Sequence, residues 1–342
     1  MSTLASARLR VTGDFEAVFA DMYSRGVTDG LPVIPPTEAA VRAMLGTHEP
    51  DTLIAMLPPE RGPATAEKIA INAVMAGCLP TYFPVVVAAI RAVAEPKFNL
   101  LGVQTTTNPV TPVLLVNGPV RKALDVNCGR GCLGPGARAN ATIGRAMRLC
   151  LLNIGGCPPG DVDKAIHGMP GKFSFCFGEN EEESPWPPFH ADNGFALTQS
   201  TVTVVGGQGT QNIYAACHDP ADVALMLANG MAVMGNNGYL RAVGNPLVIL
   251  SPGHARLFAD AGWDKARLRQ ELFERTKIPR KRFPRTAQLS KPVYNSYADD
   301  EPCLLCQRAD DILIVVAGGP EAYHITYVPN FGTTVYSMKE IS

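Results

Sequence analysis

Pro112-Val113-Leu114-Leu115-Val116-Asn117-Gly118-Pro119 and Pro246-Leu247-Val248-Ile249-Leu250-Ser251-Pro252-Gly253 are the strings that decide the fold class. Each sets four consecutive apolar residues behind a proline and closes on a Gly/Pro turn. Val202-Thr203-Val204-Val205 before Gly206-Gly207-Gln208-Gly209, and Ile312 to Val316 before Ala317-Gly318-Gly319-Pro320, have a similar build. A strand with one wet face alternates apolar and polar residues, whereas a continuous apolar run is covered on both faces. Helical stretches separate these runs. The class is therefore α/β, with two lobes whose largely buried mixed or parallel sheets are covered by helices. The likeness of the Pro112 and Pro246 strings predicts an internal duplication, as does the echo of Val204-Val205-Gly206-Gly207 in Val315-Val316-Ala317-Gly318-Gly319. On this reading residues 1–154 form an N-terminal helical and α/β lobe with a Cys/Gly-rich loop. Residues 155–193 form an irregular connection rich in Pro, Gly and Glu, and residues 194–342 a C-terminal α/β lobe.

Upstream, Asp14 to Arg25 reads as a short amphipathic helix, and Thr37 caps a second that buries Val41, Met44 and Leu45. Thr65 caps a nearly all-apolar helix, Ala66 to Ala76, and Pro84 sits in the first turn of another, Val85 to Val93. Charged residues make up 18% of the chain, against a usual share of about 25%. So little charged surface predicts a buried subunit interface and hence a homo-oligomer. A net charge of −1 gives no footprint for nucleic acid. The basic stretch Lys265 to Arg285 reads as a solvated helix buried on Leu268, Leu272 and Phe273. No stretch approaches the ~18 apolar residues of a membrane span, and Met1 to Gly13 has no signal-peptide core. Nine cysteines, an odd number, then predict reduced thiols in a cytoplasmic protein.

The chemistry concentrates in Asn127-Cys128-Gly129-Arg130-Gly131-Cys132-Leu133-Gly134-Pro135-Gly136-Ala137-Arg138-Ala139-Asn140, which runs into a helical segment, Ala141 to Leu152, bearing Arg145 and Arg148. Glycines let backbone N–H groups converge on a ligand, and a helix N-terminus adds partial positive charge. A cysteine held there is a candidate nucleophile, with Cys132 first and Cys128 second; a tight turn with cysteines as small buried hydrophobes is the bland alternative. Arg138, Asn140 and Arg145 are candidates to orient an anion. Gly206, Gly207, Gly318 and Gly319 end strands and could present N–H nests to a carboxylate, although neither pair has a Walker or dinucleotide fingerprint. Glu182, in an acidic run between aromatics, and His324, after a strand-end turn, are candidate proton carriers. Lys68 is a polar group on an otherwise apolar helix, explained by catalysis or by internal hydrogen bonding alike. Cys303 and Cys306 have half a zinc-site spacing around an apolar Leu-Leu, and are expected reduced and metal-free.

Asp29-Gly30-Leu31-Pro32-Val33-Ile34-Pro35-Pro36-Thr37, Pro252-Gly253-His254-Ala255-Arg256 with Gly262-Trp263, and Val315-Val316-Ala317-Gly318-Gly319-Pro320 resemble strings in bacterial proteins related to the UGSC-type (seleno)protein group. The resemblance implies a bacterial enzyme-like protein, with thiol or selenol chemistry. The group's namesake Sec/Cys-Gly-Ser-Cys is absent, so no activity is carried over. The residues themselves lead to a cysteine-centred hydrolase or lyase acting on a small anionic, carboxylate-bearing molecule. No cofactor, metal, nucleic acid or membrane is involved in that reading. A thiol-redox enzyme using Cys128/Cys132 or Cys303/Cys306, and a non-catalytic binding protein or complex subunit, are the alternatives.

Overall fold

The structure, a computed structural model, describes residues 3–241, 243–284 and 297–342. Side-chain caps open the first three α-helices, two of them, Thr37 and Thr65, as expected. Asp14 caps α1 (Phe15–Ser24), Thr37 caps α2 (Glu38–Leu45), and Thr65, at the end of a hairpin of β1 (Leu53–Leu57) and β2 (Gly62–Thr65), caps α3 (Ala66–Ala76). Then come α4 (Phe83–Val93), with Pro84 in its first turn, and α5 (Leu100–Thr105). Strand β3 (Thr111–Asn117) leads through α6 (Val120–Ala123), the cysteine loop and α7 (Arg138–Asn153) to β4 (Cys176–Gly178), α8 (Phe189–Asp192) and β5 (Thr201–Gly207). Next come β6 (Gln211–Tyr214), α9 (Pro220–Met231), α10 (Asn237–Arg241), β7 (Leu247–Leu250), α11 (Pro252–Asp260) and α12 (Lys265–Arg275). A short pair, β8 (Ile278–Pro279) and β9 (Pro302–Cys303), precedes β10 (Leu313–Val316), β11 (His324–Val328) and β12 (Ser337–Glu340). Arg285, the end of the expected basic stretch, lies outside the described residues; the helix before it buries Leu268 and Leu272 as expected.

Two four-stranded mixed sheets carry the α/β fold, in the orders β12-β5-β3-β4 and β6-β11-β7-β10. Position by position they have the same directions. β3 is parallel to β4 as β7 is to β10, β5 is antiparallel to β3 as β11 is to β7, and the outer strand is antiparallel in each. The topology therefore repeats, with the Pro112 and Pro246 strings in equivalent strands. The second echo does not hold: Val204 to Gly207 lies on β5, whose counterpart is β11, whereas Val315 to Gly319 ends β10. The halves also exchange strands, for β6 of the first completes the second sheet and β12 of the second completes the first. Lobes cut at 154 and 194 therefore do not match the sheets, and the 155–193 connection contributes β4 and α8 to the body.

Alternation along the strands sets the layers. Leu114, Val116, Val202 and Val204 pack outward on α3, α4 and α7. Val248, Leu250, Ile314, Ile325 and Tyr327 pack outward on α9 and α12. Val113, Leu115, Phe177, Val205, Leu247, Ile249, Leu313, Val315 and Val328 meet between the sheets. Continuous apolar strands needed cover on both faces; helices supply one cover, and the other sheet supplies the second. No helix among the described residues is long and apolar enough to cross a membrane.

Candidate functional site

Both parallel strand pairs end at the same end of this sandwich. The Asn180 N–H donates to the Val316 carbonyl at 2.7 Å, and the Gly318 N–H to the Cys128 carbonyl at 2.9 Å. There the inward-facing series turns polar in each sheet. In the first, Val113 and Leu115 are followed by Asn117, Phe177 by Glu179, and Val205 is preceded by Thr203 and Thr201. In the second, Leu247 and Ile249 are followed by Ser251, and Val328 is preceded by Thr326 and His324. Asn117 opposes Thr201 and Leu115 opposes Thr203, just as Ile249 opposes Thr326. Carried on by two residues, the second register sets Ser251 against His324. Ser251 thus occupies the place of Asn117, and His324 that of Thr201.

In the first sheet this end is closed. Glu179 is fully buried, and its Oε2 accepts from Asn117 Nδ2 at 2.5 Å and from the Phe189 N–H at 2.7 Å. Burial raises the Glu179 carboxyl, against the pull of Lys265 and these hydrogen bonds. Arg121, 2% exposed, donates to the Glu179 carbonyl at 2.6 Å and pairs with Glu181 and Glu182 at 3.0 Å each. His190 is enclosed, 3.8 Å from Glu181, and burial lowers its pKa against the raising effect of that carboxylate and of the Ala196 backbone. Nine buried side-chain polar atoms among the described residues lack a partner of hydrogen-bond geometry. Seven of them belong to Asn117, Arg121, Glu179, His190, Thr201 and Thr203. So dense a set of orphans is the mark of an internal polar chamber.

In the second sheet the equivalent end is open. Arg130 to Gly134, Ile249, Ser251, Ala317 to Gly319, Glu321, Tyr323, His324 and Thr326 enclose a cavity of about 570 Å³. Arg130 from the cysteine loop and Glu321 from the β10–β11 turn form an ion pair at its rim. His324 Nδ1 lies 3.2 Å from Asn212 Nδ2. Ser251 Oγ lies 2.9 Å from His254 Nδ1, and His254 Nε2 lies 3.1 Å from the Ala215 carbonyl.

The expected residues separate accordingly. Cys132, Gly318, Gly319 and His324 come together in the cavity. Cys132 is only 5% exposed, and burial, with Cys128 beside it, pushes its thiol to about 11. Cys128 sits between cavity and chamber, 3.7 Å from Arg121 Nη1; burial raises its pKa although the guanidinium opposes this. The arginines expected to orient an anion are engaged elsewhere. Arg138 donates to the Gly77 carbonyl, and Arg145 clamps Asp29 through two 2.8 Å bonds and reaches the Leu31 and Pro32 carbonyls. Asn140 holds the cysteine loop, donating to the Asn127 and Cys132 carbonyls and accepting from the Asn127 N–H. Glu182 is not raised into a proton carrier. Burial works in that direction, but Arg121 and Lys122 outweigh it and hold the carboxyl at about 2. Lys68 lies on α3 in the outer helical layer, where its carbonyl accepts from Asn72 Nδ2. Gly206 and Gly207 are at the opposite end, buried within β5, where Gly207 bridges to Asn330. They share no cleft with Gly318 and Gly319. Cys303 and Cys306 are free and buried.

Sequence reasoning passed over Arg130, Ser251 and the chamber residues Asn117 and Arg121, and it read His190 and His254 as lone histidines without the partners that the structure gives them. The i,i+3 spacing of Ser251 and His254 behind an apolar strand was the available signal for one pair. The polar residue that ends each inward series was the signal for Asn117. No protein-family model matches the chain, and no curated protein matches it.

Proposed function

We propose that the chain is a hydrolase or lyase acting on a small carboxylate-bearing molecule in the cavity between the cysteine loop and the ends of β7 and β10. One observation carries this reading: Arg130, Cys132, Ser251, His324 and the Gly318-Gly319 backbone line a single space of small-molecule size. The site also lies beyond the carboxyl ends of parallel strands, the usual ligand crevice of an α/β sheet. Arg130 is the carboxylate anchor, since its planar fork suits that group and its present partner, Glu321, is exchangeable at the rim. His324 is placed to move a proton. Cys132 enters as a wall group, because a thiol pushed to about 11 is protonated at neutral pH.

The test is calorimetric titration with acetate, succinate and citrate. At least one should bind the wild type, and Arg130→Ala should weaken that binding by roughly tenfold or more, in line with the loss of a charge-assisted hydrogen bond. Equal affinity in the variant, or no binding to the wild type, would overturn the reading.

A further inference from the structure

We infer that Ser251 and His254 form a nucleophile–base pair in this cavity, built to cleave an ester or thioester bond of a carboxylate-bearing substrate; the inference rests on the cavity being the active site. Ser251 caps α11 and lines the cavity, while His254, one turn on, is fully buried behind it. The tautomer follows from the partners. A carbonyl can only accept, so the Ala215 carbonyl fixes the ring proton on His254 Nε2. Nδ1 is then bare, and the Ser251 hydroxyl, 2.9 Å away, donates to it. Burial keeps the imidazole below its ordinary pKa despite the Ala215 hydrogen bond, so at neutral pH it is in the form that takes a proton. A nucleophile, a base within reach and a third group orienting the base form the pattern of an activated serine. Capping alone requires only that Ser251 Oγ accept the His254 N–H, as it does at 3.3 Å. It does not require a buried imidazole tied on its far side. The orienting carbonyl follows β6, the strand donated by the first half, so the pair is complete only when the strand exchange is made.

In the reaction, Ser251 Oγ bonds to the acyl carbon as His254 Nδ1 takes the hydroxyl proton. Gly319 lines the same wall, and among the described residues its N–H has no partner within the chain, so it is free to meet the developing oxyanion. The acyl C–O or C–S bond breaks as Nδ1 hands its proton to the departing oxygen or sulfur. Water then attacks the acyl-serine carbon and gives one proton to Nδ1, which returns it to Ser251 as the acid leaves.

The test uses the full chain with a fluorophosphonate probe and short-chain p-nitrophenyl esters. Peptide mapping should place the phosphonate on Ser251 in the wild type and not on Cys132. Ser251→Asn keeps a good helix cap but has no nucleophile; it should keep its melting temperature and lose labelling. His254→Gln should slow labelling and ester hydrolysis by roughly 100-fold or more. Labelling on Cys132, labelling retained in Ser251→Asn, or no labelling of folded wild type would overturn the pair. The carboxylate titrations separate the two readings. Binding that depends on Arg130 with an unlabelled Ser251 removes the pair alone, and a labelled Ser251 with no carboxylate binding removes the substrate class alone.

Discussion

Glu179 sits where its charge is hard to keep. It is fully buried, one carboxylate oxygen is satisfied twice and the other has no partner. Its folded pKa lies above the ordinary 4.5, so the unfolded chain gives up this proton first. Its contribution to stability is then complete below 4.5 and falls as pH rises toward the folded value, by about 1.4 kcal/mol per pH unit across that window. Glu179→Gln carries a donor where the lone oxygen is, like the protonated acid. It should match the wild type in mildly acid solution and melt higher than it at pH 8, where His190 and His254 are neutral in both proteins. Parallel melting curves of the two proteins against pH would refute this. The same chamber marks the limit of sequence reading at single residues. Asn117 and Glu179 are three and two places past the middle of apolar strands, and nothing local says that they meet. Arg138 and Arg145 mislead for the converse reason. They are close to the cysteines along the chain, but their helix aims them at Gly77 and Asp29, partners set by distant segments.

Strands were legible as strands because a continuous apolar run is a local property, and the caps at Thr37 and Thr65 because capping is one as well. What covers a strand is not local, which is why the second sheet took the place expected for helices. Gly206-Gly207 illustrates the cost of reading a glycine pair only as a turn. A Cβ on Gly207 would come within 2.6 Å of Val113 Cγ2 and Val328 Cγ1, side chains from both sheets. Glycine here marks close approach, not a ligand nest. Gly207→Ala should therefore cost about 1–3 kcal/mol in urea unfolding, the range for overpacking a core. A midpoint unchanged from wild type would mean that the sheets can part at this end without strain.

The strand exchange binds the whole molecule. Cleavage at an engineered protease site after the exposed Met234 would leave β6 in one fragment and β12 in the other, each seated in its partner's sheet. The fragments should co-elute as one species of native size and part only in denaturant; independent elution from native buffer would contradict the topology. The repeat was foreseeable from Pro112 and Pro246, but the exchange was not, because strand order depends on pairings that no single segment encodes. The exchange also bears on how the chain is made. As a ribosome releases it from the N-terminus, β3, β4 and β5 emerge early and can pair, yet the flank of β5 stays bare until β12 has been synthesised. For that interval the nascent chain shows an apolar strand edge of the kind that recruits chaperones or other unfinished chains. Slower synthesis of the second half should therefore lower the yield of folded protein without any change in its sequence.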